Sequence, residues 1–145
     1  MKLRREIRLY IEAELRDFHQ TKEDLIEAEQ EIMFEGYTPN ASGRRASGIA
    51  RPTETKTIQL LTNKRIRRMQ QVVEAIEKVL SMLPKEKYRL VEMRYWEQPR
   101  VLTDEGIAMA LNCDRRTLYR WVEGILLAIA IEMGECHKTV NFVGA

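Results

Sequence analysis

Apolar positions recur at helical spacing along almost the whole chain, and no stretch alternates with the period of two that a half-buried strand needs. Over residues 3–35, Ile7, Ile11, Leu15, Phe18, Leu25, Ile32 and Met33 share one broad face, with Glu, Asp, Lys and Arg opposite. Thr21 followed by Asp24 resembles a loose N-terminal cap, so the segment reads as one helix or as two. Gly36 is expected to stop it. The next stretch, GYTPNASGRRASGIARP, has no periodicity and few core-forming residues, and reads as a flexible basic loop over 36–53. A second helix is expected from near Thr55 to near Met82. In it Ile66, Met69, Val73, Ile76, Leu80 and Leu83 are spaced alternately three and four apart, as in a heptad a/d seam. Pro84 ends it, because the residue before a proline is pushed out of the α region.

The two long segments, 1–35 and 54–83, are expected to form a helical hairpin. Residues 1–35 carry 6 basic and 10 acidic side chains, whereas 57–83 carry 5 and 2, so an acidic helix would face a basic one. The same apolar stripe is equally suited to a homodimer, and the pattern does not choose between these pairings.

Residues 84–134 divide into three shorter helical pieces, followed by a tail at 135–145. Tyr88, Val91, Met93, Tyr95 and Trp96 supply apolar bulk before Gln98-Pro99. Thr103 is placed to cap a short helix from Asp104 to Leu111, and Asp114 to cap a longer one from Arg115 to near Met133, which Gly134 would close. Asn112 stands in the turn between them, and asparagine is the best residue after glycine for a left-handed conformation. Short helix, tight turn and longer helix is the helix–turn–helix layout. Ile107 and Leu111 would anchor its first helix, and Ala108 would permit a close crossing. Leu118, Trp121, Val122 and Ile125 would pack inward from the second. Trp96 and Trp121, both on apolar faces, are expected in the core. The fold class is therefore all-α: a helical hairpin, coiled-coil-like in its seam, followed by a C-terminal helix–turn–helix.

That inward set leaves Arg115, Arg116, Tyr119, Arg120 and Glu123 outward, with Thr117 near the edge. Arginines at the start of an exposed helix suit a major groove, because a guanidinium donates two bonds to guanine O6 and N7. Arg, Thr and Tyr also reach phosphates, which sets register without reading sequence. Lys64, Arg65, Arg67 and Arg68 on the second helix, and Arg44 and Arg45 in the loop, are candidates for further phosphate contacts, and Arg44, Arg45 and Arg51 together suit an arm that orders in a minor groove. The bland alternatives are a solvated or ion-paired helix face for the first group and a disordered linker for the second.

Charged residues make up 32% of the chain and hydrophobic ones 44%, which fits a soluble helical protein better than a membrane span. Charges stand in MKLRREIRLYIEAE where a signal peptide has its apolar block, so a cytoplasmic location is expected, in the host cell's cytoplasm or nucleoid if the chain is phage-encoded. Cys113 and Cys136 have no CxxC or Cys/His metal spacing, and His137 beside Cys136 is only a two-ligand pair. No pocket-forming carboxylate pair, nucleophile or phosphate loop is visible, so neither catalysis nor a cofactor is expected.

The stretch LPKEKYRLVEMRYWEQPRVLTDEGIAMALNCDRRTLYRWVEGIL, residues 83–126, resembles region 4 of bacterial sigma factors: Leu-Pro, a helix ending in Arg-Tyr-aromatic, then a helix–turn–helix. With the upstream helix, the Arg-rich loop and TETKTIQLLTNKRIRRMQQVVEAIEKVL, nearly the whole chain resembles phage late-gene transcriptional regulators of the RinA/ArpU type. The resemblance implies activation of phage operons, with promoter DNA and the host RNA polymerase as partners and 115–122 as recognition helix. The chain departs from the sigma pattern at Asn112-Cys113-Asp114, where Gly-x-Ser is usual, and it has no sigma region 2. Two other classes remain compatible with the sequence: a small-terminase-like DNA-packaging protein, and a structural adaptor that works through its heptad helices.

Overall fold

The computed structural model describes the backbone of residues 2–37 and 52–135 and the side chains of 2–33 and 64–135. Every regular element among them is helical: α1 (Arg5–Arg16), α2 (Phe18–Tyr37), α3 (Pro52–Met82), α4 (Lys85–Val91) running into a π-helical turn (Glu92–Trp96), α5 (Asp104–Ala110) and α6 (Arg115–Glu132). The all-α class holds. No helix among the described residues is long and apolar enough to cross a membrane.

The break in the first segment falls at Asp17 rather than at Thr21; the Asp17 N–H still donates to Ala13 O at 3.0 Å, but its backbone leaves the helical region. α2 then runs past Gly36 to Tyr37, because one glycine weakens a helix without obliging it to stop. α3 starts at Pro52, since proline is tolerated in a first turn, and it ends at Met82, just before Leu83-Pro84.

The chain divides into two compact units, and their boundaries cut the segments grouped from sequence. One unit combines α1, the end of α3 from Glu74, and everything from α4 to α6. The other, His19–Val73, is a helical hairpin of α2 and the first part of α3. In the hairpin, Gln70 Nε2 donates to Glu29 Oε2 at 3.0 Å, and Ala28 and Ile66 are buried. So α1, expected in the hairpin as part of 1–35, belongs instead with the C-terminal helices.

α1 joins them because Ile11 and Leu15 repeat on one face and are buried, with Phe18, the first residue of α2, buried beside them. They form a core with Ile76, Val79 and Leu80 of α3, Leu90 and Val91 of α4, Met93 and Tyr95 of the π turn, Ile107 and Ala108 of α5, and Leu118, Val122, Ile125, Leu126, Ile129 and Ala130 of α6. α6 packs on both α1 and α5. Burying a Leu or Ile side chain fully contributes about 1.5–3 kcal/mol before entropy is charged against it. On α3, Val72, Ala75 and Val79 are buried beside Val73, Ile76 and Leu80, while Met69 and Leu83 are half-buried. That stripe is wider than a two-position seam and marks a core helix.

The tryptophans are half-buried and sit at the margin of the core, not inside it. Trp96 stacks on Phe18 with ring centroids 5.9 Å apart and meets Tyr88 edge-on at 5.8 Å. Its indole N–H donates to Leu15 O at 2.9 Å, which a fully apolar site would leave unsatisfied. The Trp121 ring lies under the Lys87 ammonium at 5.7 Å.

Candidate nucleic-acid interface

The helix–turn–helix is fixed by local hydrogen bonds at each of its corners. Thr103 Oγ1 accepts from the Gly106 N–H at 3.2 Å and starts α5. Asn112 adopts φ 57°, the left-handed conformation that lets the chain turn, and the Cys113 N–H donates to Ala108 O at 3.0 Å. Asp114 Oδ1 accepts from the Thr117 N–H at 2.8 Å and starts α6. Hydrogen bonds from Thr117 hold the Asp114 carboxyl below the ordinary range. Gly134 closes α6 at φ 79°. Ala108 is buried where the helices cross, and a Cβ on Gly106 would lie 3.3 Å from Leu102 in the bend that leads into α5.

The expected partition of α6 is largely present. Leu118, Val122 and Ile125 are buried; Arg115, Arg116 and Arg120 are exposed; Thr117, Tyr119, Trp121 and Glu123 lie between. The five candidate residues Arg115, Arg116, Thr117, Tyr119 and Arg120 thus share the N-terminal end of one helix. They are not equivalent, because two of them are tied into a polar network.

Arg115 Nη1 lies 3.2 Å from Glu105 Oε1, its Nε–H donates to the Tyr119 hydroxyl at 3.2 Å, and its guanidinium sits 5.5 Å from the Tyr119 ring centroid. The Tyr119 hydroxyl in turn donates to Asp104 Oδ2 at 3.2 Å. Asp104 Oδ1 also accepts from Arg94 Nη1 at 2.7 Å and from Arg100 Nη2. Burial pushes the Asp104 carboxyl upward, but the Arg100 hydrogen bond and the Arg94 and Arg100 charges outweigh it and hold the carboxyl below the usual range. Arg94 Nε donates to the Tyr95 hydroxyl at 3.3 Å, and that hydroxyl donates to Glu12 Oε2 at 2.7 Å. Burial, with the Glu12 hydrogen bond, pushes the Tyr95 phenol well above its ordinary value. A continuous path of polar contacts therefore links α1 to the outer face of α6.

Arg116 and Arg120 stand outside this path. Neither makes a hydrogen bond or ion pair with another described residue; Arg116 contributes only a through-space attraction to Asp114.

Of the other candidates, Lys64, Arg65, Arg67 and Arg68 are exposed around buried Ile66 on α3, within the hairpin unit. Arg68 Nη1 donates to Gln71 Oε1 at 3.3 Å. Arg44, Arg45 and Arg51 lie outside the described residues. Among the described residues no three or more His, Cys, Asp or Glu side chains gather as a metal site. Sequence reasoning missed Glu12, Arg94, Tyr95, Arg100, Asp104 and Glu105 as parts of this face. Only Asp104 and Glu105 carried a signal, as acidic residues in a first turn.

Fold and site together define an all-α protein with a C-terminal helix–turn–helix whose second helix presents arginines at its start. The chain belongs to the family described as "Protein of unknown function (DUF722)", which it matches over residues 4–130, from α1 through most of α6. No curated protein and no solved structure matches it.

Proposed function

We propose that this protein is a sequence-specific double-stranded DNA-binding transcriptional regulator that places the start of α6 in the major groove. The observation that carries the reading is the exposed pair Arg116 and Arg120, without hydrogen-bond or ion-pair partners among the described residues, one helical turn apart on a helix capped by Asp114 and packed on the core. Residues four apart on a helix are neighbours, so both guanidiniums address adjacent base pairs. Arg115, Thr117 and Tyr119 flank them and supply backbone contacts. Lys64, Arg65, Arg67 and Arg68 are further phosphate-contact candidates.

The resemblance to late-gene regulators of the RinA/ArpU type and to sigma region 4 makes activation of a phage operon the specific form of the proposal. Host RNA polymerase would then be engaged through another surface, in the bacterial cytoplasm or nucleoid. The reading needs no cofactor and assigns no catalytic residue.

The test is a mobility-shift titration of a random-sequence duplex pool at about 50 and 200 mM salt, a range over which several phosphate contacts change affinity by orders of magnitude. Wild-type protein is expected to retard the pool at the lower salt and to enrich particular sequences from it, and an Arg116→Ala/Arg120→Ala variant of unchanged helicity is expected to lose that enrichment. No retardation by wild type at either salt would overturn the proposal and leave the heptad-bearing helices as the working surface. Assembly into rings of eight or more subunits without sequence preference would replace it with the packaging reading.

A further inference from the structure

The arginines at the start of α6 fall into two rows, and the rows differ in what holds them. Arg115 and Tyr119, four residues apart, are bound to each other and to α5 through Glu105 and Asp104. Arg116 and Arg120, also four apart, have no such partners among the described residues. From this we infer a division of labour that rests on the DNA-binding reading: Arg115, braced by Tyr119 and Glu105, contacts a backbone phosphate, and Arg116 and Arg120 read the bases.

The chemistry of the groups supports the division. A tyrosine hydroxyl has one proton to donate and two lone pairs. Here the proton is spent on Asp104 and one lone pair on Arg115, so Tyr119 has little left with which to distinguish a base. Arg115 commits Nε–H and one Nη1 proton of its five donors, which removes the Nε edge from bidentate recognition; the three N–H groups that remain, one on Nη1 and two on Nη2, suit phosphate oxygens. Tyr119 is thus a positioning residue that acts through Arg115. Asp104 is the fixed point of the brace, held by two arginines of its own.

Glu105 has a further consequence. Its side chain is 71% exposed and that of Arg115 58%, so their pair lies in water and is weak. An arriving phosphate exchanges easily for the carboxylate, but it must approach a negative charge to do so. Glu105 therefore competes weakly with phosphate for Arg115 and lowers affinity for any duplex, irrespective of sequence.

Two measurements separate failure of this inference from failure of the DNA reading. In the free protein, the Arg115 Nε–H resonance is expected to be resolved and protected from exchange with water, and to be lost in Tyr119→Phe; an unchanged resonance in that variant would overturn the brace whatever the protein binds. Bound duplexes are then selected from a random library with each variant. Arg116→Ala and Arg120→Ala are each expected to relax the motif at one position and to weaken the preferred site by about five- to a hundredfold, the range of a lost bidentate contact. Arg115→Ala and Tyr119→Phe are expected to weaken every duplex by a common factor and leave the motif intact, with Arg115→Ala lowering the salt slope by about one. Glu105→Gln is expected to tighten every duplex by a common factor. Relaxation of a motif position by Tyr119→Phe, or an intact motif in both Arg116→Ala and Arg120→Ala, would overturn the assignment. If wild type enriches nothing, the DNA reading and the assignment of base readers fall together, and the Arg115 resonance still decides the brace.

Discussion

α2 and α6 are amphipathic helices of similar length, 20 and 18 residues, yet they are fixed very differently. α6 buries six side chains from Leu118 to Ala130, is capped by Asp114 and closed by Gly134, and borrows rigidity from α1 and α5. From His19 to Glu31 and on to Met33, the last described side chain of α2, only Ala28 is buried, and Ile26 and Met33 are exposed. Both helices show the same kind of apolar spacing. Periodicity specifies that a helix has a face; caps and close neighbours decide whether the face is locked. The proposed role of α6 requires arginines held at fixed angles, and the caps and close neighbours of α6 supply that locking.

The sharpest way to break the contrast is to remove the core beneath α6. Leu118→Ala and Ile107→Ala should each lower stability by about 2–5 kcal/mol in urea unfolding, the cost of deleting a fully buried aliphatic side chain. Ile26→Ser and Met33→Ser, of comparable chemistry on α2, should stay within about 0.5 kcal/mol of wild type, because exposed positions have little packing to lose. A loss of several kcal/mol at Met33 would show that the α2 face is covered in solution.

Asp104 comes next. Asp104→Asn removes the charge that binds Arg94 and Arg100 and should cost about 1–3 kcal/mol at neutral pH, the range for a charge-assisted hydrogen bond. Because the folded carboxyl titrates below its ordinary value, its contribution is fully present above the unfolded value of about 3.9 and disappears as pH falls through the lower, folded value. The stability difference between wild type and Asp104→Asn should therefore be constant from neutral pH down to the ordinary carboxylate range, and shrink below it. A difference that instead grew on acidification would refute the sign.

Smaller effects should come from the backbone. Thr103→Ala removes the α5 cap and should destabilise by about 1 kcal/mol. Gly124 sits inside α6 with open space where a Cβ would be, so Gly124→Ala should stabilise by about 0.5–1 kcal/mol and raise the melting temperature. These changes, of opposite sign, measure how much the cap of α5 and the interior of α6 each contribute to stability.

What could be read from the chain follows the range of each interaction. Thr103, Asn112, Asp114 and Gly134 act within three or four residues, and each was legible because its chemistry is local. The buried row of α6 was legible from spacing. The alliance of α1 with the C-terminal helices was not, since its face fits any apolar partner and its contact with Trp96 spans 81 positions. Nor was the path from Glu12 through Tyr95, Arg94 and Asp104 to Tyr119. It joins residues 83 apart through a π turn, and a π turn has no signature in the hydrophobic period that precedes it. The break at Asp17 was missed by four positions, because Thr21 offers a cap that the chain does not use.

The role proposed for the outward arginines of α6 is to read DNA sequence. The most direct measurement is selection of bound duplexes from a random library at about 150 mM salt, a concentration at which non-specific phosphate binding is already weak. It should be run in parallel on wild type and Arg116→Ala/Arg120→Ala, with matched circular dichroism. A sharp motif is expected for wild type, and a relaxed one for the double variant. A motif that survives intact in the double variant, or no enrichment by well-folded wild-type protein, would contradict that role.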